Sequence, residues 1–226
     1  PAISKNFHDM GILFLQGYGI TECSPIVSLN RDIYYKDDAI GLPLPGTEVK
    51  LVNKNEEGVG EIIFRGDNVM LGYYENQEAT DEVLKDGWFY TGDYGTIDED
   101  GFIKFEGRKK NIIIAKNGKN VYPEELETML SKSDYIAECM VYGHVDEDGE
   151  EYIHVQIYPD KAAVELVLGE NPDEAKVKEL IQGVVDEVNK SNPVWKIIRK
   201  TIIRKEEFEK TTTKKIKRFA EANKEE

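Results

Sequence analysis

The 226 residues suffice for one large domain or two small ones, and 40% apolar content with 12 Tyr and 8 Phe is that of a folded chain rather than a disordered one. With 29 Lys+Arg against 44 Asp+Glu, a formal charge of −15, the surface as a whole excludes nonspecific nucleic-acid binding, which needs a positive footprint. No apolar run approaches the ~20 residues of a membrane span, the opening residues lack a signal-peptide layout, and the 2 Cys and 3 His show no metal-ligand spacing.

In chain order, "PAISKNFHDMGILF" reads as the end of a helix and a strand of a larger domain. "QGYGITECSP" (16–25) brackets Tyr18 with two glycines and follows it with Thr21 and Glu22. "TEVKLV" (47–52), "GEIIFRG" (60–66) and "GFIKFEGR" (101–108) are short apolar or alternating runs bounded by Gly, Asn and Asp, the pattern of strands. "DEDG" (98–101) is a turn between strands, and Asp93, between a Gly and a Tyr, reads as part of a tight loop.

After about residue 108 the character changes. "VYPEELETMLSKS" predicts a helix, with Pro123 at its first position, acids in its first turn and Leu126, Met129 and Leu130 on one face. "IAECMVYG" (136–143) and "YIHVQIY" (152–158) read as a strand pair joined by the acidic loop "HVDEDGEE". "NPDEAKVKELIQGVVDEVNK" predicts a helix capped by Asn171 and opened by Pro172, its stripe being Val177, Leu180, Ile181, Val184, Val185 and Val188. A basic tail follows: residues 196–218 hold ten Lys or Arg and three Glu. The expected fold is mixed α+β, a β-rich part over 1–107 followed by a small α+β domain over 108–226. Cys23 and Cys139, far apart and flanked by apolar or small residues, are expected as buried thiols in a reducing cytoplasm.

Taken singly, the chemistry-bearing stretches have two readings each. Gly17 and Gly19 let backbone approach a ligand, Tyr18 can stack on a planar base and Glu22 can hold a divalent cation on phosphate oxygens; the same residues also make a buried turn. Asp93 suits a ribose diol, or only its own turn. Arg108 is a ligand contact or a surface charge, and "FEKTTTKKIKR" (208–218) a catalytic lysine segment or a solvated tail.

Their joint order is more specific. "GYGITE", "GEIIFRGDNVMLGYYENQEAT", "YTGD", "GRKKNIIIAKNGKNVYPEELE" and "KTTTKKIKR" resemble, in that order and over nearly the whole chain, five motifs of the adenylate-forming superfamily of acyl-CoA synthetases, firefly-type luciferases and nonribosomal adenylation domains. Nine residues between Arg108 and Gly118, and Lys214 where many members carry Gly, resemble the long-chain fatty acyl-CoA synthetases.

The resemblance implies ATP, Mg²⁺ and CoA as reactants and cofactor, and a fatty acid as substrate. It implies that Tyr18, beside Gly19, stacks on adenine, Thr21 contacts phosphate and Glu22 binds Mg²⁺. Asp93 and Arg108 take the ribose, Lys215 bridges the carboxylate and the α-phosphate, Lys110 is the hinge of a mobile domain, and Gly118 lines the pantetheine channel. An acyl carrier protein in place of CoA, or a non-catalytic nucleotide-binding remnant, stays open. The family's upstream phosphate loop, roughly "SGTTGxPKG", does not occur in these residues, so the chain is expected to be the C-terminal part of a longer ligase and inactive alone.

Overall fold

The computed structural model describes residues 2–146 and 149–222, so Glu147 and Asp148 of the acidic loop lie outside the described residues. The chain separates into two compact units, Pro1–Lys110 and Asn111–Glu226.

The first unit runs α1 (Ala2–Asp9), β1 (Gly17–Gly19), β2 (Ile26–Leu29), β3 (Leu42–Pro43), β4 (Thr47–Val52), β5 (Gly60–Gly66), α2 (Gln77–Val83), β6 (Leu84–Lys85), β7 (Trp88–Ile97) and β8 (Ile103–Arg108). Strands β1, β2 and β3 form one antiparallel sheet; β4, β5, β7 and β6 form a second, with β8 also on β7. In β5 the run Gly60–Phe64 is buried throughout, because this strand lies between two others and under side chains on both faces. Ile62, Phe64, Phe89 and Ile103 form the core with Val27 and the free, buried Cys23. The Asp98–Gly101 turn forms as its sequence predicts: the Asp98 carboxylate accepts the backbone N–H groups of Asp100 and Phe102 at 3.1 and 3.0 Å.

Two expectations fail here. Residues 12–14 carry no strand, and Asp93 lies within the ten-residue strand β7 rather than in a loop. The glycines around Asp93 read as turn signals. In the structure Gly95 serves close strand packing, since a Cβ there would sit 2.1 Å from the Lys104 carbonyl oxygen on β8, while Gly92 takes a φ of 68 within the strand.

The second unit runs β9 (Ile113–Ile114), β10 (Asn120–Val121), α3 (Pro123–Leu130), β11 (Ile136–Val145), β12 (Glu151–Pro159), α4 (Lys161–Leu168), α5 (Glu174–Lys190), β13 (Lys200–Ile203) and α6 (Arg218–Ala222). β11 and β12 are antiparallel, and β13 joins β12 in parallel after the crossover through α4 and α5. Leu126 and Leu130 of α3 and Ile181 and Val185 of α5 pack with Val141 and Val155 of the sheet. Met140 and Tyr142 form a second cluster with Phe208 of the C-terminal segment. β12 is therefore buried without a break from Tyr152 to Ile157.

The α5 stripe matches its periodicity, but its start does not. Asp173 caps the helix, its carboxylate accepting from the Ala175 N–H at 2.9 Å, while Asn171 sits at φ 50 in the preceding turn. Nor are residues 196–218 a simple tail. Lys200–Ile203 complete the sheet, Lys196 is buried against Glu125, and Arg218 opens α6. Helices α2 and α4, capped by the Asn76 and Asp160 side chains, were not foreseen from the sequence.

Candidate functional site

The first unit gathers three of the singled-out residues. β1 is short because a Cβ on Gly19 would stand 2.3 Å from the Pro25 carbonyl oxygen; only glycine lets the chain fold back this tightly after Tyr18. Tyr18 lies near Phe64, with ring centroids 6.0 Å apart, and its hydroxyl donates to Asp93 Oδ2. On the other side Arg108 Nε lies 3.1 Å from Asp93 Oδ1, the two residues being direct partners in the β7–β8 register. Asp93 is 2% exposed, whereas the Arg108 side chain is 57% exposed, so a fixed carboxylate meets a cation that still reaches solvent. Burial first, and then the Asp93 carboxylate, hold the Tyr18 phenol well above the usual tyrosine range. It therefore remains a proton donor.

Two further residues, to which no sequence motif assigns a role, fix this arrangement. The Asp93 N–H donates to Thr91 Oγ1 at 2.9 Å, and that hydroxyl donates to the Ile62 carbonyl at 2.7 Å. Glu61, 4% exposed, accepts from the Gly92 N–H and from Lys109 Nζ, both at 3.2 Å. It thereby ties the neighbour of Asp93 to the neighbour of Arg108. A glutamate directly before the apolar run Ile62–Phe64 was the available signal.

Thr21 and Glu22 lie in a 3₁₀ turn directly after β1, held by the Met70 N–H on the Glu22 carbonyl at 2.7 Å. The Glu22 carboxylate accepts from the Tyr73 hydroxyl at 2.9 Å and makes no direct bond to Asp93. Burial, then that hydrogen bond, push the Tyr73 phenol up to about 12. Glu22 fits a share in Mg²⁺ binding: its second oxygen has no hydrogen-bond partner among the described residues, and Mg²⁺ ordinarily takes one or two carboxylates beside phosphate oxygens and water. Among the described residues no cluster of three or more His, Cys, Asp or Glu stands ready to cage a metal by itself.

Lys110 is the last residue of the first unit and lies in a 3₁₀ turn, Lys109–Asn111. In the second unit Gly118, at φ 77, closes the β9–β10 hairpin and donates its N–H to the Ala115 carbonyl at 2.8 Å. Lys215 is exposed in a turn closed by the Lys210–Ile216 bridge, where Thr211 N–H donates to the Lys215 carbonyl at 2.8 Å. Lys214 sits at φ 60, the left-handed region, which accounts for glycine as the alternative at such a position.

Comparison with known proteins matches residues 1–74 to the family model "AMP-binding enzyme" and residues 110–224 to "AMP-binding enzyme C-terminal domain". The chain belongs to the AMP-binding enzyme family. A long-chain-fatty-acid–CoA ligase of Salmonella typhimurium is 45% identical over 139 residues, 59% of this chain and 25% of its own length. One of Yersinia pestis is 39% identical over 216 residues, 88% of this chain and 37% of its own. The chain thus spans 25–37% of the length of these relatives. Among solved structures, o-succinylbenzoate CoA synthetase from Bacillus subtilis, in complex with the acyl-adenylate intermediate OSB-AMP, superposes with a TM-score of 0.80 at 25% identity, covering 95% of this chain and 42% of that one. Among the described residues no helix is long and apolar enough to cross a membrane.

Proposed function

We propose that the chain supplies the C-terminal part of a cytoplasmic, ATP- and Mg²⁺-dependent acyl-CoA ligase acting on a long-chain fatty acid. Asp93 carries this reading: a buried carboxylate fixed between the Tyr18 hydroxyl and the Arg108 guanidinium, in a member of the AMP-binding family. Each carboxylate oxygen keeps lone pairs for further donors, so Asp93 accepts the two ribose hydroxyls of ATP. Arg108 adds a donor at the rim, and the Tyr18 ring offers its face to adenine.

The proposed chemistry has two steps. A fatty-acid carboxylate oxygen bonds to the α-phosphorus of ATP while the bond to pyrophosphate breaks, leaving acyl-adenylate. The CoA sulfur, having lost its proton, then bonds to the acyl carbon while the bond to AMP breaks. Thr21 binds phosphate and Glu22 holds Mg²⁺, whose chemistry there is to neutralise phosphate charge. Lys215 places a compact cation between carboxylate and α-phosphate, where charge moves in the first step; such positioned charges provide much of the stabilisation in phosphoryl-type transfer. Lys110 is the hinge, and Gly118 opens the pantetheine path. The chain alone, without a phosphate loop in its sequence, is expected to be inactive.

The test is carboxylate-dependent pyrophosphate–ATP exchange by the full-length ligase that carries this chain. Lys215→Ala is expected to slow exchange by about 10²–10³-fold. Exchange at the wild-type rate removes the role given to Lys215.

A further inference from the structure

The charge around Lys215 is distributed unevenly. Arg218, three residues on, meets the Glu127 carboxylate of α3 through Nη2 at 2.6 and 2.5 Å, and its Nη1 donates to the Val141 carbonyl at 3.0 Å. Glu127 in turn accepts the Val141 N–H at 2.8 Å. β11 is an edge strand of its sheet, so the pair also satisfies backbone groups that the ladder leaves open. The Glu127 side chain is 16% exposed and that of Arg218 27%. Lys217 pairs with Glu209, and Lys210 with Glu138 and Glu207. Arg204 pairs with the buried Glu221 at 2.7 Å, and Phe208 is buried against Met140 and Tyr142. Among the described residues, Lys214 and Lys215 are left without an ion pair, at the tip of a turn whose flanks are tied down. Lys217 and Arg218 are thus both committed to carboxylates.

We infer that Glu127 and Arg218 are a positioning pair, which sets the path of the 211–216 turn and hence the place from which Lys215 reaches the reacting groups. This rests on the reading that Lys215 acts in adenylate formation. A lysine ammonium rides on a flexible four-carbon stem, so the turn's backbone defines the volume it samples. The guanidinium holds two partners at once, Nη2 on both Glu127 carboxylate oxygens and Nη1 on the Val141 carbonyl, so this charge-assisted tie joins the segment to α3 and β11 at one point.

The experiment compares Lys215→Ala, Arg218→Met, Arg218→Lys and Glu127→Gln in the full-length ligase, measuring the two half-reactions separately. Arg218→Met is expected to lower kcat of adenylate formation by about 10²-fold, the cost of a misplacement near 1 Å. KM for ATP, and thioester formation from preformed acyl-adenylate and CoA, stay at wild-type values. Arg218→Lys, which keeps the charge but not the planar guanidinium, restores only part of the lost rate, and Glu127→Gln shifts adenylation in the same direction should Arg218→Met not fold. Trypsin cleaves Arg218→Met faster after Lys214 and Lys215 than it cleaves wild type. Wild-type adenylation in both Arg218→Met and Glu127→Gln, or an equal loss in both half-reactions, overturns the positioning role. An unimpaired Lys215→Ala instead overturns the reading of Lys215 itself, so the two failures are distinct.

Discussion

Asp93 and Arg108 face each other across the β7–β8 pair, with Arg108 Nε 3.1 Å from Asp93 Oδ1, and the carboxylate is buried while the guanidinium reaches solvent. This asymmetry makes Asp93 the fixed partner and Arg108 the adaptable one, an arrangement suited to a ligand that arrives from the solvent side and leaves again.

If Asp93 receives the ribose hydroxyls, Asp93→Asn exchanges charge-assisted hydrogen bonds for neutral ones at nearly constant volume. The expected loss is about 1.5–3 kcal/mol of nucleotide affinity, roughly 10- to 150-fold in Kd. Calorimetric titration of ATP into the full-length protein measures it; an unchanged Kd rejects the assignment.

Thr91 supports Asp93 from beneath, accepting its N–H and donating to Ile62. Thr91→Val keeps the shape and removes the hydroxyl, leaving the Asp93 N–H and the Ile62 carbonyl short of a partner. A stability loss of about 1–2 kcal/mol is expected in urea unfolding of the chain, with no such loss in Thr91→Ser.

Lys214 occupies a left-handed conformation at φ 60. Lys214→Gly removes the steric cost of that conformation at the expense of a freer unfolded chain, so stability changes little. Lys214→Val places a β-branched side chain there and is expected to cost about 1–2 kcal/mol locally. Faster proteolysis of the 208–218 segment in Lys214→Val, and not in Lys214→Gly, is the readout.

The two thiols give a pH-dependent prediction. Burial, and then a nearby glutamate in each case, push Cys23 up to about 11 and Cys139 up to about 12. The folded chain therefore keeps these protons at pH values where the unfolded chain has lost them. This stabilising contribution is fully present below pH 9 and is lost as pH rises from 9 through 11–12. At pH 8 iodoacetamide is expected to modify both thiols at least about 10²-fold more slowly in the folded chain than in denaturant. Rapid labelling of the folded chain at pH 8 contradicts the burial of these groups.

Much was legible in the amino-acid order because it depends on near neighbours. The strands at 47–52, 60–66 and 101–108, the Asp98 turn, the Pro123 helix and the apolar stripe of α5 follow from local periodicity and turn chemistry. So does the notice drawn to Tyr18, Glu22, Asp93, Arg108 and Lys215, through motifs whose spacing is written along the chain. Only the tertiary structure decided what depends on pairing. Asp93 is a strand residue because β8 lies against it; Lys200–Ile203 form a strand because the crossover through α4 and α5 brings them beside β12. The basic segment at 208–218 illustrates both sides. Its charge excess is plain in the sequence, but which cations are cancelled depends on Glu127 of α3 and Glu138 of the edge strand β11, up to 91 positions away along the chain. Hydrogen bonds and ion pairs act over a few ångströms of space, and no local pattern encodes which distant residues folding will bring that close.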